Sequence, residues 1–375
     1  MKKLSGLVMI GVLITLSSLP WLLSVSASAS LLAQQSTQGL GDELKHFAML
    51  DPVDTHTHVF QNDPTFHIML DRLHLHLVDI CVFTDQVPSF PSLQTQIDSA
   101  LTVTRSSNGH VSFCTTFDPF KFRSPHFAAD TIRQLDRDSK NGAVAVKIWK
   151  NVGMELKTPE GKFVMPDDAA FAPIYRAIAE HNMTLIAHLA EPNSCWEPPN
   201  PASPDYDYYK DHPEWYMYGK TDRPSKEQIL TARDHLLAEN PKLRVVGAHL
   251  GSMEVDVDQI AKRFDRYPNF AVDTAARVAY LALQPRDKVR AFLLKYQDRI
   301  LYGTDLEYGR NGDSASLQDW ESTYLRDWKF FSTNETVEFQ GRRVQGLQLP
   351  ESVLRKLYHD NAIHWIPRMT NPAQK

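Results

Sequence analysis

Short, almost unbroken apolar runs recur along the chain, separated by longer amphipathic segments. The runs are 50–56, 76–83, 110–117, 143–149, 183–188, 243–249, 269–274 and 299–305. Several are continuous in Val, Ile, Leu and Ala rather than alternating, the pattern of strands covered on both faces. Segments 126–139, 168–181, 226–239, 255–266 and 284–297 carry helical periodicity, and a last helix, about 350–361, precedes Pro367. Ser225 followed by Gln228 reads as a capping box, and Asp167/Asp168 as the start of another helix. Eight strands alternating with helices predict an α/β chain folded as a (β/α)8 TIM barrel; the count favours this over an open doubly wound sheet. Two connections exceed ordinary length: 189–225 after strand 5, rich in Pro and aromatics, and 306–349 after strand 8. Both belong to the barrel face where such folds build their sites.

The first 29 residues read differently. Lys2 and Lys3, an apolar core at 7–16 and the small-residue stretch Ala27-Ser28-Ala29 predict a signal peptide over 1–29. Segment 4–23 has the length of an uncleaved membrane span, but Gly6, Gly11, Ser17, Ser18 and Pro20 interrupt it. A polar linker over 30–45 and a barrel over 46–375 follow. The expectation is an exported protein, periplasmic or secreted, with no stable membrane anchor after cleavage. A net charge of −5 without a basic run argues against nucleic acid as a partner. Three Cys form no disulfide framework; Cys81 and Cys114 fall in predicted strands as buried thiols. Oligomeric state leaves no trace in the sequence.

Position in this architecture sorts the 15 histidines. Alternate strand residues share a face, with Cα atoms roughly 6.6 Å apart, so Asp54, His56 and His58 point one way at the end of strand 1. Two imidazoles so placed can converge on one ion. His188, His249 and Asp305 close strands 5, 6 and 8 at the same end. His74 and His76 repeat the spacing where strand 2 begins, at the opposite end. His110, His181, His235 and His359 start a strand, follow a helix or sit within helices, and read as structural. Polar groups at the C-terminal ends of four strands therefore predict a metal site.

Asp54-x-His56-x-His58, His188, His249 in "GAHLGS", Asp305 in "LYGTD" and the closing "LYHDNAIHWI" resemble the amidohydrolase superfamily, in its amidohydrolase-related, metal-dependent TIM-barrel branch. The resemblance spans roughly 50–366. It implies that His56, His58, His188 and Asp305 ligate a divalent ion, usually zinc. His249 would hold a second ion or polarise the substrate, and Asp305 would also move the proton of the attacking water. Many members carry a lysine ending strand 4 that bridges two ions once carboxylated; "AVAVKIWKN" offers Lys147 and Lys150, with Lys147 the match, although Ala145 stands where that branch has glycine. Other members are single-metal decarboxylases and hydratases.

The chemistry expected is hydrolysis of an amide, ester or lactone bond of a small molecule by a metal-bound hydroxide. The alternatives are a single-metal decarboxylase of an aromatic or unsaturated acid and, from another class, a non-catalytic binding module. Arg277 and Arg310 are candidates to hold a substrate anion, Asp273 to orient a histidine, and Trp196, with Tyr206, Tyr208, Tyr209, Trp215, Tyr216 and Tyr218, to cover the substrate.

Overall fold

Strands β1 (Val53–Val59), β2 (His76–Ile80), β3 (Val111–Thr116), β4 (Ala145–Ile148), β5 (Thr184–Ala187), β6 (Val245–Gly247), β7 (Phe270–Asp273) and β8 (Ile300–Leu301) pair in sequence order, all parallel. A ninth strand, β9 (Leu306–Tyr308), prolongs β8 after a break and pairs with β1. Across the break, Thr55 N donates to Tyr302 O and Asp305 N to His56 O. The ring is thereby closed as a (β/α)8 TIM barrel. The computed structural model describes residues 43–83, 91–310 and 316–369. The expected signal peptide and most of the linker lie outside the described residues.

Each predicted strand is present, and pleating divides the core. Val78, Ile80 and Ile186 belong to one buried cluster, joined by Trp365 and Ile366 of the final helix. Leu77 and Leu185, one residue away, belong to the larger layer beneath the helices. Packing of the chain onto the barrel starts at Leu44 and Phe47, both fully buried.

Ser225 and Gln228 form the capping box of the helix Lys226–Glu239. Asp167/Asp168 do not cap the next expected helix. Ala172–Glu180 starts from Phe171 without a side-chain cap, and Asp168 instead accepts from Ala170 N in the preceding turn. Helices Pro64–Leu73 and Leu93–Ser106 fill the first two crossovers. The second long connection is not a loop. It carries helix Leu317–Ser332 and an antiparallel hairpin of β10 (Thr336–Phe339) and β11 (Arg342–Gln345). Gln340 and Gly341 turn the hairpin with φ of 51° and 69°, the left-handed pair that a two-residue turn demands. The first long connection holds only a short turn, Asn193–Cys195, and one helix, Tyr206–Asp211. Among the described residues no helix is long and apolar enough to cross a membrane.

A candidate metal centre at the strand ends

On β1, His56 lies inside and His58 just beyond a shift in the register with β2, between Asp54 and Thr57. Asp54 does not join the cluster of ligand atoms: it is buried and accepts from His56 N, Thr304 and Tyr324, bracing the barrel seam. His56 Nδ1 bonds Asp273 Oδ2 at 2.9 Å, and His58 Nδ1 bonds Ile80 O at 2.7 Å. Both partners can only accept, so Nδ1 carries the proton and each neutral ring keeps its lone pair on Nε2, that of His56 facing Lys147 Nζ at 2.8 Å. The two Nε2 atoms lie 3.4 and 3.3 Å from the same atom, Asp305 Oδ1. Ligands about 2.0–2.2 Å from a tetrahedral ion stand about 3.3–3.6 Å apart. Both nitrogen–oxygen separations are those of ligands on one ion, and the three ligand atoms all lie within 4.8 Å of one another, so the set fits one.

His188 and His249 continue the arc, with ring centroids 4.3 Å apart and His249 4.8 Å from His56. His249 opens a run, through Leu250, Gly251 and Ser252, with φ between 56° and 61°. Such backbone costs about 1–2 kcal/mol per non-glycine residue, and Asp273 helps hold it, accepting from His249 N and Ala275 N through Oδ1. His249 Nδ1 donates to Ala275 O, leaving Nε2 as its lone pair. Asp305 is likewise left-handed, at φ 69°.

Electrostatics follow the geometry. Burial drives the pKa values of His188 and His249 well below the ordinary histidine range, neighbouring cationic groups adding to it. Burial also opposes charge on Asp305, but His249, His58 and His56 outweigh it and hold the carboxyl well below its usual range. Lys147, fully buried, ends β4 with Nζ 2.8 Å from His56 Nε2. Burial pushes its pKa down to about 8.

The histidines at the other end are spoken for. His76 bonds Asp51 and stacks on His110; His181 bonds Asp136, His235 bonds Asp167 and His359 bonds Asp51 O. All three cysteines are buried free thiols.

Two recesses flank the cluster. One, of about 770 Å³, includes Arg277, Tyr280 and Gln340; the other, of about 880 Å³, includes Trp149, Trp215 and Arg310. Among the described residues, Arg277 Nε is buried without a hydrogen-bond partner. Arg310 pairs with Glu307 at 2.7 Å. Trp196 is not brought to the site: its indole donates to Pro224 O and its ring packs on the core. Of the loop aromatics, Tyr208 and Trp215 face the recesses, whereas Tyr206, Tyr209 and Tyr216 line a separate cavity. Several residues at the site escaped the sequence reading. Trp149 directly follows β4, and Glu191, three residues after His188, binds Lys150. Their positions just past strand ends were a usable signal. Gln340 arrives from a distant hairpin, for which the strand pattern held none.

The sequence model of a family described as amidohydrolase matches residues 114–368, more than half of the chain. The protein belongs to this family of metal-dependent enzymes. Among curated proteins, none matches. Similar solved structures include 2,6-dihydroxybenzoate decarboxylase from Rhizobium, 14% identical, covering 84% of this chain and 98% of that one, with a TM-score of 0.48. A dihydroxybenzoic acid decarboxylase from Polaromonas sp. JS666, solved with bound manganese, is 13% identical over 85% and 98%, with a TM-score of 0.49. The 4-oxalomesaconate hydratase of Rhodopseudomonas palustris is 10% identical over 86% and 98%, with a TM-score of 0.46. These are likenesses of fold.

Proposed function

We propose that the protein is a metal-dependent hydrolase of an amide, ester or lactone bond in a small molecule, with His56, His58, His188 and Asp305 as ligands. The observation that carries this reading is Asp305 Oδ1, placed almost equally from the Nε2 atoms of His56 and His58. A divalent ion held there, zinc by the chemistry of the donors, lowers the pKa of water and polarises a substrate oxygen. Asp305, kept ionised by the histidines, accepts the proton of the attacking water and passes it to the leaving group. Asp273 fixes the ring of His56 and the backbone of His249. His249 presents Nε2 to the substrate or to a second ion, and Lys147, once carboxylated, would join the ligand set. The N-terminal pattern supports export, with cleavage near Ala29.

The second reading, a decarboxylase, is favoured by Arg277, whose buried Nε without an acceptor suits a substrate carboxylate. One experiment separates the two. Metal-loaded protein is given panels of esters, lactones, amides and aromatic acids while proton and carbon dioxide release are followed. Hydrolysis that falls by about 10²–10⁴ in Asp305→Asn supports the proposal. Carbon dioxide release from an acid with every ester, lactone and amide untouched would replace it.

A further inference from the structure

The two recesses are lobes of one cleft. Both are bordered by Lys150, His188, Tyr208, His249 and Asp305, so the candidate metal centre lies where they meet. The divider is built. Lys150, buried, donates to Tyr208 OH at 2.8 Å and to Glu191, with its Nζ 4.3 Å from the Trp215 ring. Tyr209 OH donates to the other oxygen of Glu191. A cation so fully engaged anchors the wall and leaves no free charge for a ligand.

The lobes differ in what they can recognise. In the first, Asp205 Oδ2 is taken by Ser194 and Tyr280, while Asp205 Oδ1 stands 3.9 Å from Arg277, too far for a hydrogen bond. Arg277 Nη1 donates only to Ala276 O, and Nε has no acceptor among the described residues. The Gln340 amide reaches the same lobe from the hairpin turn. The second lobe is walled by Phe83, Trp149 and Trp215, and its charged residues Glu307 and Arg310 neutralise each other. One lobe presents a guanidinium whose Nε has no acceptor among the described residues, beside the carboxylates of Asp205 and Glu191; the other offers ring faces.

We infer that the substrate is bipartite, with a carboxylate on Arg277 in one lobe, an aromatic group against Trp149 and Trp215 in the other, and the scissile bond between them at Asp305. This rests on the hydrolase reading and names its substrate class: acyl derivatives of small amino or hydroxy acids. For an N-acyl amino acid, water adds its oxygen to the acyl carbon, the C–N bond breaks and nitrogen takes the proton, releasing two acids.

The test uses metal-loaded full-length protein and three amides: N-benzoylglycine carries both groups, N-methylbenzamide only the ring, N-acetylglycine only the carboxylate. The expected kcat/KM for N-benzoylglycine exceeds both others by tenfold or more. Arg277→Met lowers it by roughly 10- to 100-fold, mostly through KM, and removes its advantage over N-methylbenzamide. Trp215→Leu removes its advantage over N-acetylglycine. Quenching of tryptophan fluorescence measures binding whether or not turnover occurs. Equal turnover of all three amides overturns the bipartite cleft and leaves the hydrolase standing. Arg277-dependent binding of N-benzoylglycine without turnover of any amide keeps the bipartite cleft and removes amide hydrolysis. Absence of both binding and turnover overturns the inference.

Discussion

Asp79 and Asp273 are equally hidden carboxylates whose surroundings send them in opposite directions. Asp273 accepts from His56 Nδ1 and faces His249 and Lys147, which together outweigh burial and hold its pKa below the ordinary value. Asp79, on β2, accepts from Val59 N, and burial pushes its pKa from 3.8 to about 7 despite that bond and the nearby His58. The folded chain therefore binds this proton more tightly than the unfolded chain does. Between roughly pH 4 and pH 7 the native state holds more protons, so stability falls as pH rises. Above pH 7 the penalty is complete, at most about 4 kcal/mol at about 1.4 kcal/mol per pH unit. Asp79→Asn keeps an acceptor for Val59 N and has no charge to bury. It should raise stability by about 1–4 kcal/mol at pH 8 and change it little at pH 4. Urea denaturation at the two pH values measures this, and equal effects at both would show that charge burial is not the cause.

Among the elements, the seam between β8 and β9 matters most, because Asp305 sits in its break and the strand then returns to pair with β1. Gly309 lets it leave. At φ +76°, a Cβ there would stand 2.4 Å from Gln61 Cβ and 3.1 Å from Gln61 N, just past the end of β1. Gly161 has a similar φ of +83° but open space around it. Gly309→Ala should thus cost about 2–4 kcal/mol, combining left-handed strain with a clash, and Gly161→Ala about 1 kcal/mol from strain alone. Thermal denaturation of both variants decides it; equal losses would mean that the Gln61 contact is relieved freely. The seam also marks how far the strand pattern could be followed. The eight strands were legible because continuous apolar runs such as 183–188 announce burial on both faces, and His56, His58, His188, His249 and Asp305 were legible as the polar residues ending them. The β8–β9 break was not, since its cause lies in hydrogen bonds between Asp305 N and His56 O and between Thr55 N and Tyr302 O, made across about 250 residues of chain. Trp196 misled because an indole in a loop reads the same whether it meets a substrate or Pro224 O.

At the scale of the whole molecule, the barrel gathers His56, Lys147, His188, His249 and Asp305 from five strand ends, and on the proposed function its charge balance would decide how many ions it could hold. As an ammonium, Lys147 would sit 2.8 Å from the nitrogen that His56 offers an ion, a repulsive neighbour. Burial brings its pKa down to about 8, so near pH 8 about half of these amines are uncharged, the form that can take up carbon dioxide. Carboxylation would exchange a cation for an anion in the middle of the donor set, and with His188 and His249 it would offer ligands for a second ion. The expected result is two divalent ions per chain after incubation with zinc and bicarbonate at pH 8. Lys147→Ala should retain one or fewer, with a loss of thermal stability in proportion to the binding forfeited. Elemental analysis gives the count, and intact-protein mass gives the carbon dioxide adduct. One ion per chain regardless of bicarbonate, retained in Lys147→Ala, would leave His249 as an acid–base group rather than a ligand. The five strand ends would then form a single-ion site, and the decarboxylase reading would displace the hydrolase.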